Sequence, residues 1–424
     1  MPAFLVDRLE RLCLPASITK LFEPLFWLMG RRGGQSYKVS AAKRILIVMP
    51  DRMGDLILAS SFIRELRVAK PDAFICLIVE SSLINLVEHC PYIDLLLGYD
   101  TNNWQVYWRS RYCLNSFIFS LKHLWQQKFD LAILPHWGTD HYYCGALVYF
   151  SGARWRIGYS EAVTKEKSEL NSNYDLLYSR VLDDKTARHE VVNNLNLLRF
   201  AGMESRDDSL ELWLTEAETD KAAQVLNFDN DKCHHFIALC PTASHRRKVW
   251  PEERFAQLID WMLGSIDCHI VLLGSQHNGL SLQSIRQKYP SGVLDLTEKT
   301  TVREAAAILA RCSMYVGLDT GPMHLAVASK VPVVSISCHP SSANDINPMS
   351  FRRFGPWGVP SRIIQPEFAL DECAETDDGC QRRDESHCIA QIGIERVKEA
   401  IKELIRVLPD ENGLQLKKEG FVIE

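Results

Sequence analysis

The absences in this sequence narrow its reading first. No apolar run reaches the ~18 residues that a membrane-spanning helix needs. No internal repeat with a period of about 20 to 50 residues is visible, so solenoids and propellers are set aside. Charge of one sign is not in excess. The 48 Lys and Arg against 53 Asp and Glu leave a net charge of -5, and no basic stripe interleaved with aromatics occurs, which argues against nucleic acid as a partner. The N-terminus lacks a charged stretch followed by a small-residue cleavage site and does not read as a secretory signal. Cysteine is present without a framework. Many of the 13 sit in apolar runs such as FICLIVE and HFIALCP, where a thiol behaves as a small hydrophobe. Their odd, unpatterned count points to a reducing cytosol.

What is present is an ordinary globular composition, 46% hydrophobic and 24% charged over 424 residues, long enough for two domains. From residue 44, short β-branched runs (RILIVMP, AFICLIVE, FDLAILPH) alternate with helical patterns, which implies parallel strands joined by crossover helices. A polar stretch from about 160 to 187 reads as an irregular interruption, and 203 to 234 as a span of low order. The rhythm restarts with HFIALCP, CHIVLLG, GVLDL, SMYVGLD and VPVVSIS and closes on an amphipathic helix, IGIERVKEAIKELIRVL. Two doubly wound α/β sheets follow. Residues 1–40 stand apart: ITKLFEPLFWLMGRRGG reads either as a helix lying on a membrane surface, with Arg31 and Arg32 near anionic headgroups, or as an arm packed on the first domain.

Ligands of open parallel sheets sit beyond the carboxyl ends of the strands. Three stretches fall there. In VGLDTGPMHLA, Gly321 allows close backbone approach and Pro322 suits the first helical turn, leaving the amides of Met323 and His324 for an anion. The Thr320 hydroxyl and His324 ring add donors, and Asp319 suits sugar hydroxyls or loop amides; alternatively, Asp319 and Thr320 only cap the helix. In RILIVMPDRMGDLILASSFIREL, Asp55 lies at a helix start, either as a cap or as a general base kept ionised there. The two loops would face each other across a cleft. In CPTASHRRKVWPEERF, the cations Arg246, Arg247 and Lys248 precede a helix opening near Pro251, as a diphosphate clamp centred on Lys248 or as a solvated turn.

These motifs, with LLGSQHN and RFGPWG, resemble glycosyltransferase family 9, the ADP-heptose:lipopolysaccharide heptosyltransferases, from about residue 43 to 407. The resemblance implies the GT-B architecture of two facing Rossmann-like domains. Its boundaries would be an N-terminal extension over 1–40, an acceptor domain over 41–215, a nucleotide-sugar domain over 216–365, and a closing segment over 366–424. It also implies Asp55 as catalytic base, with Met53 and Gly54 in the acceptor-side loop. Ser244 and Lys248 would hold the donor diphosphate, and Asp319, Thr320, Gly321, Met323 and His324 would form the donor loop. Where such enzymes usually offer an acidic residue to the ribose, this chain has neutral Asn278.

The expected reaction is an inverting, metal-independent transfer of a sugar from a nucleoside diphosphate sugar, ADP-heptose by resemblance, to a lipid-linked or lipopolysaccharide-type glycan. It would take place at the cytoplasmic face of the inner membrane, with no cofactor. No paired carboxylates of the DxD kind read as lying at a strand end, since LDD at 182–184 falls in the irregular stretch. Two alternatives remain: a nucleotide-sugar epimerase of GT-B fold, whose relatives lack the MGD loop, and a non-catalytic sugar-nucleotide-binding or scaffold member. Near the C-terminus, Cys373, Cys380, His387 and Cys388 offer soft ligands for zinc, in a spacing that matches no common finger.

Overall fold

Aliphatic runs without alternation need cover on both faces, and a parallel sheet between crossover helices supplies it. The computed structural model describes residues 15–29, 39–101, 109–227, 235–275, 292–343, 350–370, 385–409 and 414–417. The chain divides into two compact units, the first ending at Asp208 and the second beginning at Ser209.

The first unit holds β1 (Arg44–Met49), β2 (Phe74–Glu80), β3 (Leu95–Tyr99), β4 (Leu131–Ile133), β5 (Trp155–Tyr159) and β6 (Arg180–Leu182), in one sheet ordered 3-2-1-4-5-6. Every pairing is parallel, with Ile45 opposite both Ile75 and Leu131. β1 and β2 carry the core, Ile45 to Val48 and Ile75 to Val79 being wholly buried. Strand β1 leads into α1 (Met53–Leu58), which breaks at Ala59, where ψ is 0°, before α2 (Ser60–Ala69).

The stretch from 160 to 187 differs from its sequence reading. It holds α3 (Lys165–Leu170), capped by the Thr164 hydroxyl, and it delivers β6 as the sixth strand of the sheet. Asp183 and Asp184 therefore do follow a strand end; Asp184 is tied to Arg188 at 2.5 Å. After β6 comes α4 (Glu190–Phe200).

Ahead of the sheet, a helix over Pro15–Leu28 buries Ile18 and Phe26 among Tyr149, Phe150 and Leu177. Phe22 meets Phe117 with ring centroids 5.1 Å apart. The opposite side of this helix is also apolar, with Leu21, Trp27 and Leu28 each more than 60% exposed. Arg31 and Arg32 lie outside the described residues.

The second unit repeats the plan. It opens on a helix over Glu216–Leu226, inside the span expected to have low order, secured by a capping box between Thr215 and Glu218. Strands β7 (Phe236–Cys240), β8 (His269–Leu272), β9 (Val293–Asp295), β10 (Met314–Leu318), β11 (Val333–Ile336) and β12 (Ser361–Ile364) form a parallel sheet ordered 12-11-10-7-8-9. Counted from β7, this is again 3-2-1-4-5-6. Its helices include α5 (Glu252–Ser265), α6 (Gly321–Ala328) and α7 (Ile394–Val407). Trp250, fully buried, donates through Nε1 to the Ile392 carbonyl at 2.9 Å and joins the start of α5 to the approach of α7.

Candidate functional site

In a sheet ordered 3-2-1-4-5-6 the crossovers leave the central strand pair in opposite directions, and the carboxyl ends of that pair stay open for a ligand. The central pairs are β1 with β4 and β7 with β10.

At the β1–β4 end, Asp55 sits in the first turn of α1, third from its start, and is half-buried. Arg52 occupies the capping position and makes no side-chain cap. Met53 and Gly54 form the opening of the helix, both half-buried. The residue that sequence reasoning missed is His136, three positions beyond β4. Its Nδ1 lies 2.9 Å from Asp51 Oδ2, and its Nε2 lies 2.9 Å from the Thr139 carbonyl oxygen. A carbonyl only accepts, so Nε2 carries a proton, and the Asp51 carboxylate draws a second onto Nδ1. The ring is an imidazolium. Burial by itself would lower its pKa, but the charge and hydrogen bond of Asp51 prevail and raise it to about 9, with Asp55 pushing the same way. Burial would likewise raise Asp51, yet His136 holds that carboxyl below its ordinary value. Lys167 of α3, buried, donates from Nζ to the carbonyls of His136 (3.2 Å) and Trp137 (3.1 Å). Trp137 in turn donates to the Asp184 carbonyl at 2.8 Å.

At the β7–β10 end, the chain leaves β7 through buried Thr242 to exposed Ser244, and Arg246–Lys248 form a single 3-10 turn. Pro251 is the capping residue of α5, with Glu252 and Glu253 in the first turn. Beyond β10, the alternative reading of Asp319 and Thr320 as helix caps meets no side-chain cap at the α6 start. Thr320 occupies the capping position of α6 without a side-chain cap; its hydroxyl donates to the Leu318 carbonyl at 3.4 Å. Asp319 Oδ2 accepts from Ser337 Oγ at 3.1 Å, across to the end of β11. The expectation of a free Met323 amide is corrected: it donates to the Thr320 carbonyl at 3.0 Å, the tight i to i−3 bond that often satisfies a first helical turn. Gly321 is half-buried at the first helical position, and His324 is buried with 5% exposure.

Sequence reasoning also missed His339. It is buried two residues beyond Ser337, and its backbone carbonyl accepts from Gln365 Nε2 at 2.7 Å. Burial, and then the positive charges of Lys248 and Arg247, lower its pKa to about 4 against the opposing pull of Asp319. Lys248, Arg247, Asp319 and His339 therefore share one electrostatic neighbourhood, positively charged and holding a neutral imidazole at pH 7. The signal in the sequence was positional: both His136 and His339 stand just past apolar runs already read as strands.

Asn278, Cys373 and Cys380 lie outside the described residues. His387 Nδ1 and Cys388 Sγ are 3.1 Å apart. Among the described residues, no group of three or more His, Cys, Asp or Glu side chains is placed to hold a metal ion.

The model of glycosyltransferase family 9 (heptosyltransferase) matches residues 119–355. Lipopolysaccharide heptosyltransferase 3 of Escherichia coli (strain K12) is 24% identical over 289 residues, covering 67% of this chain and 79% of that protein. Lipopolysaccharide heptosyltransferase 2 of Salmonella typhimurium is 23% identical over 321 residues, covering 73% and 86%. Among solved structures, the family 9 glycosyl transferase of Veillonella parvula superposes with a TM-score of 0.67 at 20% identity, over 88% of this chain and 99% of that one. E. coli ADP-heptose lps heptosyltransferase II gives 0.60 at 19%, over 86% and 98%. E. coli heptosyltransferase WaaC with ADP gives 0.60 at 18%, over 85% and 99%. At these identities the solved structures share the fold.

The Asp51–His136 pair yields a pH prediction. A histidine raised from 6.5 to about 9 on folding stabilises fully below its unfolded value and loses that contribution as pH rises through about 9. The melting temperature of the wild type minus that of His136→Gln is therefore expected to be large at pH 6 and to shrink by pH 10. A difference that stays constant across this range would show that His136 is not cationic in the fold.

Proposed function

Because the chain belongs to glycosyltransferase family 9, the heptosyltransferases, we propose that it transfers heptose from ADP-heptose to a lipopolysaccharide-type acceptor by an inverting single displacement. Its relatives are named for lipopolysaccharide heptosyl transfer, and a solved structural neighbour carries ADP. In this reading Asp55 removes the proton of the acceptor hydroxyl as that oxygen attacks the anomeric carbon, and the nucleoside diphosphate departs. Met53 and Gly54 shape the acceptor side of the loop. The observation that supports it most is placement: in both units the motif residues emerge where a 3-2-1-4-5-6 sheet leaves its central strand ends open.

Charge accumulates on the departing phosphates, so stabilisation belongs there. Lys248, with Ser244 beside it in the same loop, meets the diphosphate; the N-terminus of α6, through Gly321 and His324, adds partial positive charge, and Met323 packs beneath. Asp319 and Thr320, free of capping duty, face the sugar, and Asn278 takes the ribose. No metal enters this scheme; Lys248 and the N-terminus of α6 supply the positive charge.

The outward apolar face of the Pro15–Leu28 helix supports a peripheral contact with the membrane that carries the acceptor.

Asp55→Asn is expected to retain donor affinity and to lower kcat by roughly 10² to 10⁴, the share of a positioned base; wild-type turnover would remove the base from the scheme. Lys248→Ala is expected to weaken ADP binding in calorimetry by roughly ten- to a hundredfold, the worth of a charge-assisted hydrogen bond, and an unaltered Kd would refute the phosphate role. Replacing Trp27 and Leu28 together by Ser should lower cosedimentation with anionic vesicles roughly tenfold or more, given the apolar area lost. Equal binding by both proteins would place the membrane contact elsewhere.

A further inference from the structure

Two carboxylates lie four residues apart where β1 passes into α1, Asp51 in the loop and Asp55 in the first helical turn. Their charges share a neighbourhood, because both act on His136 and on the Tyr142 hydroxyl. Like charges so placed disfavour each other's ionised form, and a base must be ionised to accept a proton. The loop would work against itself if Asp51 stood alone.

His136 removes the conflict. Its ring is held by hydrogen bonds at both nitrogens, to Asp51 Oδ2 and to the Thr139 carbonyl, each 2.9 Å. Both partners are acceptors, so the geometry favours the doubly protonated ring. The segment bearing His136 is itself fixed by Lys167, whose ammonium donates to the backbone carbonyls of His136 and Trp137. Lys167 comes from the 160–187 stretch, so that stretch reaches the carboxyl end of the central strand β4.

We propose that the Asp51–His136 pair, clamped by Lys167, positions Asp55 electrostatically: its imidazolium cancels the Asp51 charge so that Asp55 stays ionised as the catalytic base. This rests on the assignment of Asp55 as base. Both members of the pair lie just beyond the central strands, Asp51 two residues past β1 and His136 three past β4, so they bridge the switch point itself.

The charges of His141 and Arg52 also act on Asp51, in the same direction as His136 and more weakly. Arg52 of the same loop is exposed. His141 is more than half exposed and lies 4.0 Å from Glu166 of α3. On α4, which packs against α1, the Glu190 carboxylate accepts from Asn193 at 2.9 Å.

The test is the acid limb of kcat against pH, measured with saturating donor on the full chain. In His136→Gln the amide keeps the shape and loses the charge, leaving Asp51 unneutralised; the limb is expected to rise by about one pH unit or more, with the KM for the donor unchanged. In the double variant Asp51→Asn/His136→Gln both charges are gone, and the limb is expected to return to its wild-type position. A merely structural role would make the double variant no better than the single. An unmoved limb in His136→Gln, or a double variant that fails to restore it, overturns the proposal. If His136→Gln does not fold, Asp51→Asn decides: with the Asp51 charge removed the limb must lie at or below its wild-type position, and a rise overturns it. Asp55→Asn keeps the two assignments apart. If that variant turns over normally the base assignment fails; if it is inactive while the limb stays fixed, only the role of the pair fails.

Discussion

Parallel strands cannot be joined by tight turns, and everything at the candidate site depends on that. Each β1-to-β2 style connection must cross the sheet, and in the order 3-2-1-4-5-6 the crossings on the two sides of the central pair diverge. The crossovers themselves leave the strand ends between them uncovered. Asp51, Asp55 and His136 come to that place in the first unit, and Lys248, Asp319 and His324 in the second, because of the way the strands are ordered.

The two ends reach different charge balances with the same kinds of atom. Beyond β1 and β4 a histidine is forced into its cationic form by two acceptors and balances one of two carboxylates. Beyond β11, the neighbour of β10, a histidine is kept neutral by burial beside Lys248 and Arg247. In the first arrangement the imidazolium offsets one carboxylate; in the second, Lys248 and Arg247 leave an excess of positive charge. Identical side chains thus take opposite charge states according to whether carboxylates or cations surround them.

Much of this was legible in the residues. The aliphatic runs gave the central strands, since strands buried on both faces show no alternation to be mistaken. The Gly-Asp and Asp-Thr-Gly-Pro-Met-His loops were read at strand ends, where the structure puts them. The edges were less clear. Strand β6 is three residues long and half exposed, so Arg180–Leu182 carry neither length nor hydrophobicity enough to stand out from a polar stretch. His136 and Asp51 are 85 positions apart and meet only through the pairing of β1 with β4, a long-range fact that no local pattern contains. The Met323 amide was misjudged because first-turn geometry, tight or open, is settled by backbone torsions rather than by residue type.

The short β6 has one more consequence. An outer strand offers unsatisfied amides and carbonyls to any passing chain, and long flat ones seed aggregation. Three residues give a foreign strand little to grip. Arg180, exposed at its start, spreads its guanidinium over the Phe200 ring at 4.6 Å and sets a charged obstacle on that flank. The same polar stretch that hid the strand from view in the sequence thus guards the border of the sheet against self-association.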